Sequence, residues 1–272
     1  MPVPSLTLTR SAVVTTLRGA GCVFAEDEAD LLLSAARDPA ELAGMVGRRV
    51  SGLPLEHVLG WADFCGMRVS VDPGVFVPRR RTEFLVALAV RLAPPGDAVV
   101  VDLCCGSGAV GAAVVATLGR GELHAADIEP AAVRCARRNV AAAGGRVYEG
   151  DLYEPLPAAL TGRIDVLVVN APYVPTDQIG LLPPEARDHE PLVALDGGPD
   201  GLGVQRRVTA GAGQWLAPGG ALLIETSERQ APFTSAAFAR HGLDPRVVVR
   251  EDLDATVVVG TKPRQGSGAR NP

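Results

Sequence analysis

Residues 98–111 read AVVVDLCCGSGAVG, an almost wholly apolar run that breaks into a glycine turn and resumes as a helical pattern. A strand apolar on both faces belongs inside a parallel sheet, and the helix after it must cross back over that sheet to reach a neighbouring strand. That one feature limits the chain to α/β architectures. Residues 78–263 repeat the alternation. A helix is predicted over 82–92, stopped by Pro94, Pro95 and Gly96. After the 98–105 strand come a helix over 109–118, the strand ELHAADI, a helix over 130–143 ended by Gly144 and Gly145, and the strands RVYEGD and IDVLVVN. Pro218, Gly219 and Gly220 introduce the strand ALLIET at 221–226, and RVVVREDL and ATVVVGTK supply two last extended runs. This spacing predicts a Rossmann-like, doubly wound, mainly parallel sheet with a C-terminal antiparallel hairpin.

Residues 1–50 carry three short amphipathic patterns, punctuated by Gly19, Gly21 and an Asp38-Pro39 cap, and predict a small helical domain. Residues 51–77 hold two extended runs around Gly60 and Gly66 and predict a β-hairpin linker to the α/β domain at 78–263. The closing segment 264–272, RQGSGARNP, is expected to be a flexible tail. With 26 basic against 31 acidic residues, a net charge of −5 argues against a partner held mainly through phosphates, so direct nucleic-acid binding is not expected. Five cysteines without a CxxC spacing and four scattered histidines predict neither a metal site nor a disulfide framework. The most apolar long stretch, 99–119, contains Asp102 and four glycines, which a membrane span rarely tolerates. The opening MPVPSLTLTR lacks the charged-then-apolar pattern of a secretory signal. The expected state is a cytoplasmic monomer with no membrane contact.

Three motifs carry chemistry. Gly106 and Gly108 let the backbone approach a ligand closely, and the helix that follows offers N–H groups at its N-terminus. Alone, this turn fits many nucleotide folds, and also a strand–helix turn without a ligand. Asp127, 21 residues after Gly106 at the end of the next strand, supplies a carboxylate for both hydroxyls of a ribose. NAD and S-adenosylmethionine both fit that pair. The strand IDVLVV then ends in Asn170-Ala171-Pro172-Tyr173, at the sheet edge where ligands bind. Methyl transfer to a planar amide or amine nitrogen needs the lone pair released from conjugation and aimed at the methyl donor. The Asn170 side-chain oxygen and the Ala171 carbonyl can accept the two N–H bonds, and Tyr173 offers a face for stacking. Positioning of this kind can supply most of the rate gain without a strong base. The third motif therefore favours S-adenosylmethionine and an N-methyltransferase.

On these residues the sequence resembles the HemK-like protein N5-glutamine methyltransferases, the release factor glutamine methyltransferase family, across roughly residues 50–262. The likeness extends to PLEHVLGWADFCGMRVSV, PRRRTEFLV, ADIEPAAVRCARRN, GDLYEPLP and DHEPLVALDGGPDGL. It implies a class I S-adenosylmethionine-dependent enzyme whose N-terminal helical domain recognises the substrate. The reaction implied is transfer of a methyl group to the N5 amide nitrogen of a protein glutamine, in the GGQ motif of peptide-chain release factors or a related protein. The implied cofactor-binding set is Cys104, Cys105, Gly106, Ser107, Gly108, Asp127, Ile128, Asp151, Leu152 and Asn170. Asn170, Ala171, Pro172 and Tyr173 would meet the substrate, with Asn170, Pro172 and Tyr173 catalytic, and no metal is implied.

Three departures mark a divergent member. Cys104 stands where the family has a glycine, Arg80 and Arg81 replace the middle of PRPETE, and Ala171 replaces the first proline of NPPY. Two alternatives stay open: an N-methyltransferase of nucleic acid or a small amine, and a catalytically silent family member that binds the cofactor. The Arg79–Arg81 run is expected to be a solvated face or a contact for an acidic partner. His57, His124, His189 and His241 are expected at surface or hairpin positions, Cys104 and Cys105 as small apolar packing, and Glu225 as structural.

Overall fold

The computed structural model describes residues 9–264, so the opening residues 1–8 and the predicted tail beyond Arg264 lie outside the described part. The chain begins with helices α1 (Arg10–Gly19), α2 (Ala25–Ala35), α3 (Pro39–Val50) and α4 (Leu55–Leu59). Asp38 caps α3 by accepting the Glu41 N–H at 2.8 Å, with Pro39 opening the first turn. The inward faces share a core of their own around Leu17, Leu32, Met45 and Val46. Helix α4 is a departure, because LEHVL was expected to be extended. Gly60 ends it at φ 81°, and its buried His57 bonds the Val75 carbonyl at 2.8 Å, tying the helix to the chain beyond. The hairpin is thereby reduced to β1 (Trp61–Phe64) and β2 (Met67–Ser70).

The α/β part follows as α5 (Glu83–Leu92), β3 (Val99–Leu103), α6 (Ala109–Leu118), β4 (Glu122–Asp127), α7 (Pro130–Val140), β5 (Arg146–Glu149) and β6 (Ile164–Val169). It continues with α8 (Pro184–His189), α9 (Leu192–Leu195), α10 (Gly203–Trp215), β7 (Leu216–Thr226), α11 (Ala231–Arg240), β8 (Asp244–Arg250) and β9 (Ala255–Thr261). Strand order is β5-β4-β3-β6-β7-β9-β8. The run from β5 to β7 is parallel, and β9 is antiparallel to both neighbours. Successive residues of one strand feed different cores. Val100 and Val166 pack with Leu85 of α5 and Val114 of α6, whereas Val101 and Leu167 pack with Val208 of α10 and Phe238 of α11. That two-sided burial is why these strands read as continuous apolar runs. Strand β7 starts at Leu216 rather than 221, and its register against β6 shifts between Ile164 and Val166. The Pro-Gly-Gly segment thus lies within an irregular strand. From β3 the chain winds one way to β4 and β5 and the other way to β6 and β7, so a crevice opens at the carboxyl ends of β3 and β6. Among the described residues no helix is long and apolar enough to cross a membrane.

Candidate functional site

At the end of β3 the backbone enters the left-handed region three times, at Cys104 (φ 54°), Gly106 (φ 53°) and Gly108 (φ 75°). The Gly106 N–H donates to Asp127 Oδ2 at 2.8 Å, and the Glu129 N–H donates to Oδ1 at 2.9 Å. Burial pushes the Asp127 carboxyl above its ordinary value, and these backbone donors oppose the rise. A Cβ on Gly106 would meet nothing within 4 Å, so this turn leaves open space on its outer side. Gly108 has a different task. A Cβ there would lie 3.0 Å from the Ala136 Cβ, so this glycine lets α6 approach α7 and is not part of the cavity wall. Beneath the turn, buried Asp102 accepts the Gly111 N–H at 2.8 Å and caps α6 from the strand. Burial pushes its carboxyl up to about 7.

One cavity of about 780 Å³ fills the crevice. Cys104, Cys105, Gly106, Ser107, Asp127, Ile128, Asp151 and Leu152 line one side, and Asn170, Ala171, Pro172 and Tyr173 line the other. Every residue of the sequence-derived set except Gly108 is therefore brought to one place. Asp151 is paired with Arg207 of α10, which also lines the cavity. The Cys104 and Cys105 thiols are pushed up by burial, which keeps them protonated and unreactive.

The wall after β6 is built from distant segments. Asn170 donates its Nδ2–H to the hydroxyl of buried Thr82 at 3.4 Å, which leaves Oδ1 as the acceptor of that carboxamide. Arg81 donates to the Tyr173 hydroxyl at 2.7 Å, and burial, then the nearby Glu225, pushes the phenol up so that it stays protonated. Gln230 donates to the Tyr173 carbonyl at 2.9 Å and the Asp200 carbonyl at 3.1 Å. Gly201, at φ 73°, packs so closely that any Cβ would collide with the Tyr173 carbonyl. The DGGPDGL stretch is thus a brace for the Asn170–Tyr173 segment. Glu190, buried, accepts the Val77 N–H at 3.1 Å and Arg79 at 2.6 Å.

These contacts correct two expectations. The Arg79–Arg81 run is no solvated face: Arg79 and Arg81 are tied to Glu190 and Tyr173, and Arg80 alone of the three is exposed. His57 and His124 are buried, and the His124 ring sits between the Tyr148 hydroxyl at 2.9 Å and Glu122 at 3.0 Å. Thr82, Arg81, Glu190, Gln230 and Arg207 complete the site, and of these only Arg81 belongs to a run that the sequence marks out by its charge. The family-like strings PRRRTE and DHEPLVALDGGPDGL were the available signal for the first three. Nothing in the sequence pointed to Gln230 or Arg207. Among the described residues no cluster of His, Cys, Asp or Glu could hold a metal ion.

Residues 66–181 match the methyltransferase small domain family. A release factor glutamine methyltransferase of Geobacter sulfurreducens is 40% identical over 210 residues, covering 75% of this chain and 72% of that protein. A 4-amino-L-phenylalanine/4-methylamino-L-phenylalanine methyltransferase of Streptomyces pristinaespiralis is 35% identical over 229 residues, 81% of this chain and 77% of that protein. Among solved structures, a methyltransferase from Pyrococcus furiosus aligns with a TM-score of 0.55 at 16% identity, over 73% of this chain and 90% of that one, a likeness of fold alone.

Proposed function

The chain belongs to the release factor glutamine methyltransferase family, and from that premise we propose that it transfers a methyl group from S-adenosylmethionine to the side-chain amide nitrogen of the GGQ glutamine in a peptide-chain release factor. The observation that carries this reading is the facing of Asp127 and Asn170 across one cavity, with the Asn170 amide nitrogen turned to Thr82.

The cofactor fits the residues present. Gly106 leaves open space where a bulky ligand must approach the backbone, and both Asp127 oxygens keep lone pairs beyond their single N–H bonds. When bound, S-adenosylmethionine supplies a methyl group already activated on a sulfonium. Asp127 accepts the ribose hydroxyls. On the opposite wall, Asn170 Oδ1 and the Ala171 carbonyl accept the two N–H bonds of the glutamine amide and draw its lone pair out of conjugation. The ring of Tyr173, fixed by Arg81 at its hydroxyl and Gln230 at its carbonyl, bears the flat amide group. Pro172, its φ fixed by the ring, lines the cavity beside them. Alanine at 171 retains the carbonyl, and the loss relative to proline is φ restriction, about 0.4–1 kcal/mol. Orientation and preorganised acceptors then provide the rate gain.

A second reading, methylation of a small amine, draws support from the Streptomyces pristinaespiralis relative. One assay separates the two: incubation with methyl-labelled cofactor and either a purified release factor or a small aromatic amine, followed by mass spectrometry. The expected result is one methyl group on the GGQ glutamine, absent when that glutamine is alanine. Label on the amine and none on the release factor would overturn the reading.

A further inference from the structure

Asn139, in the last turn of α7, spends its whole carboxamide on backbone groups of two other segments. Its Nδ2 donates to the Ser107 carbonyl at 2.8 Å and to the Ser70 carbonyl at 2.8 Å, and its Oδ1 accepts the Ser70 N–H at 2.9 Å. Both protons of the amide are thereby used, one on each segment. Ser107 is buried in the cofactor turn and lines the cavity, whereas Ser70 closes β2. The Ser107–Gly108 peptide is held on both sides, its N–H on the Cys105 carbonyl at 2.7 Å and its C=O on Asn139. In the hairpin, the Val71 N–H turns inward to the Gly60 carbonyl at 3.0 Å, while Ser70 presents its N–H and C=O outward to Asn139 as it would to a third strand. No residue of β1 or β2 lines the cavity.

We propose that Asn139 is a positioning residue for the cofactor, and that through it the occupied cofactor site stiffens the hairpin leading from the helical domain. The inference needs only the cofactor site and is independent of the acceptor that is methylated. Its basis is shared ordering. A free asparagine side chain turns among rotamers, and fixing it costs conformational entropy once. Held by Ser70, the Asn139 Nδ2 already points at Ser107, so the turn closes at a smaller entropic cost and presents Gly106 and Ser107 in one arrangement. Held by a turn that the cofactor has locked, the same amide retains Ser70 more firmly. Linkage makes the two effects equal. The factor by which a closed hairpin tightens cofactor binding is the factor by which bound cofactor favours the closed hairpin.

Other contacts keep the hairpin docked when Asn139 is replaced. Cys135 donates its Sγ–H to the Ser70 carbonyl at 3.1 Å and packs with Val71 and Val75, and Arg138 pairs with Asp72 at 2.7 Å. These contacts join α7 to the hairpin and its exit, and none reaches the cofactor turn. Replacing Asn139 therefore cuts the link and leaves the two segments in place.

The test compares wild type, Asn139→Ala and Asn139→Asp. Calorimetry reads the affinity for S-adenosylmethionine, and hydrogen exchange reads residues 61–70 and α6 with and without saturating S-adenosylhomocysteine. In wild type the ligand should slow exchange in both segments, by roughly fivefold to tenfold over the hairpin. In Asn139→Ala the α6 amides should still slow, which reports occupancy, while the hairpin no longer responds. S-adenosylmethionine should bind that variant roughly fivefold to tenfold more weakly. Asn139→Asp keeps the acceptor for the Ser70 N–H, loses both donors, and should behave as Asn139→Ala does. An asparagine with a structural role only would lower the unfolding midpoint of both variants and leave cofactor affinity and the hairpin's response as in wild type. That result overturns the proposal. So does a wild-type hairpin whose exchange the ligand leaves unchanged, a result that needs no variant. Failure of the amide-methylation reading would appear separately, as no methylation of a release factor by the wild type.

Discussion

On the side of the cavity formed by β3 and β4, the wall is held by backbone. Gly106 and Glu129 reach Asp127, Gly111 reaches Asp102, and these partners lie within about one βαβ step of each other. On the side formed by β6 and β7, the wall is held by side chains from far along the chain: Thr82 on Asn170 across 88 residues, Arg81 on Tyr173 across 92 and Gln230 on Tyr173 across 57. A wall of the first kind survives changes of side chain away from these few bonds. One of the second kind can be re-aimed by a single substitution while the cofactor side is untouched.

The largest effect expected from this contrast falls on Asn170. Asn170→Ala should lose roughly 10²–10³ in kcat, the scale for one preorganised acceptor, while binding S-adenosylmethionine within a few-fold of wild type. Steady-state kinetics beside calorimetry reads both, and near-normal turnover would break the division between the walls. Next comes Asp102, whose effect should be on stability. Its carboxyl is raised from 3.8 to about 7, so the protonated form suits the folded state. The stabilisation is fully present below the ordinary carboxylate value and is lost as pH rises toward about 7. Asn is neutral at every pH and keeps an acceptor for the Gly111 N–H. Asp102→Asn should therefore match wild type near pH 4 and exceed it at pH 8 by on the order of 2–4 kcal/mol, measured by urea unfolding at both pH values. An advantage that is the same at both would contradict the assigned cause.

Asp127→Ala should weaken cofactor binding by about 1.5–3 kcal/mol, through the lost acceptor and the released Gly106 N–H. An unchanged dissociation constant in calorimetry would remove Asp127 from the cofactor wall. The smallest effect is at Cys104. A non-glycine residue at φ 54° is strained, and Cys104→Gly should raise unfolding free energy by about 1 kcal/mol with activity retained. Destabilisation instead would mean that the thiol's packing outweighs the strain.

The same contrast decides how much could be read without coordinates. The cofactor turn, helix α6 over Ala109–Leu118 and strand β4 ending at Asp127 follow from local pattern, because their partners are near in sequence. Asn170–Tyr173 could be placed at a sheet edge, yet what orients Asn170 could not, since Thr82 is an ordinary residue in a helix entry until folding puts it 3.4 Å away. The arginine run looked like free charge for the same reason: Glu190 and Tyr173 are about a hundred residues further on. Helix α4 was hidden by its brevity, five residues between Pro54 and Gly60, too short for a helical period to show.

The central claim is that a glutamine amide sits between Asn170 and Tyr173 while the cofactor lies against Asp127. A crystal structure with S-adenosylhomocysteine and a peptide containing Gly-Gly-Gln tests it most directly. The account predicts the glutamine amide nitrogen donating to Asn170 Oδ1 and to the Ala171 carbonyl, stacked on the Tyr173 ring, with the ribose hydroxyls on Asp127. A glutamine amide bound elsewhere in the cavity, or an Asn170 whose Nδ2 rather than Oδ1 meets the peptide, would contradict it.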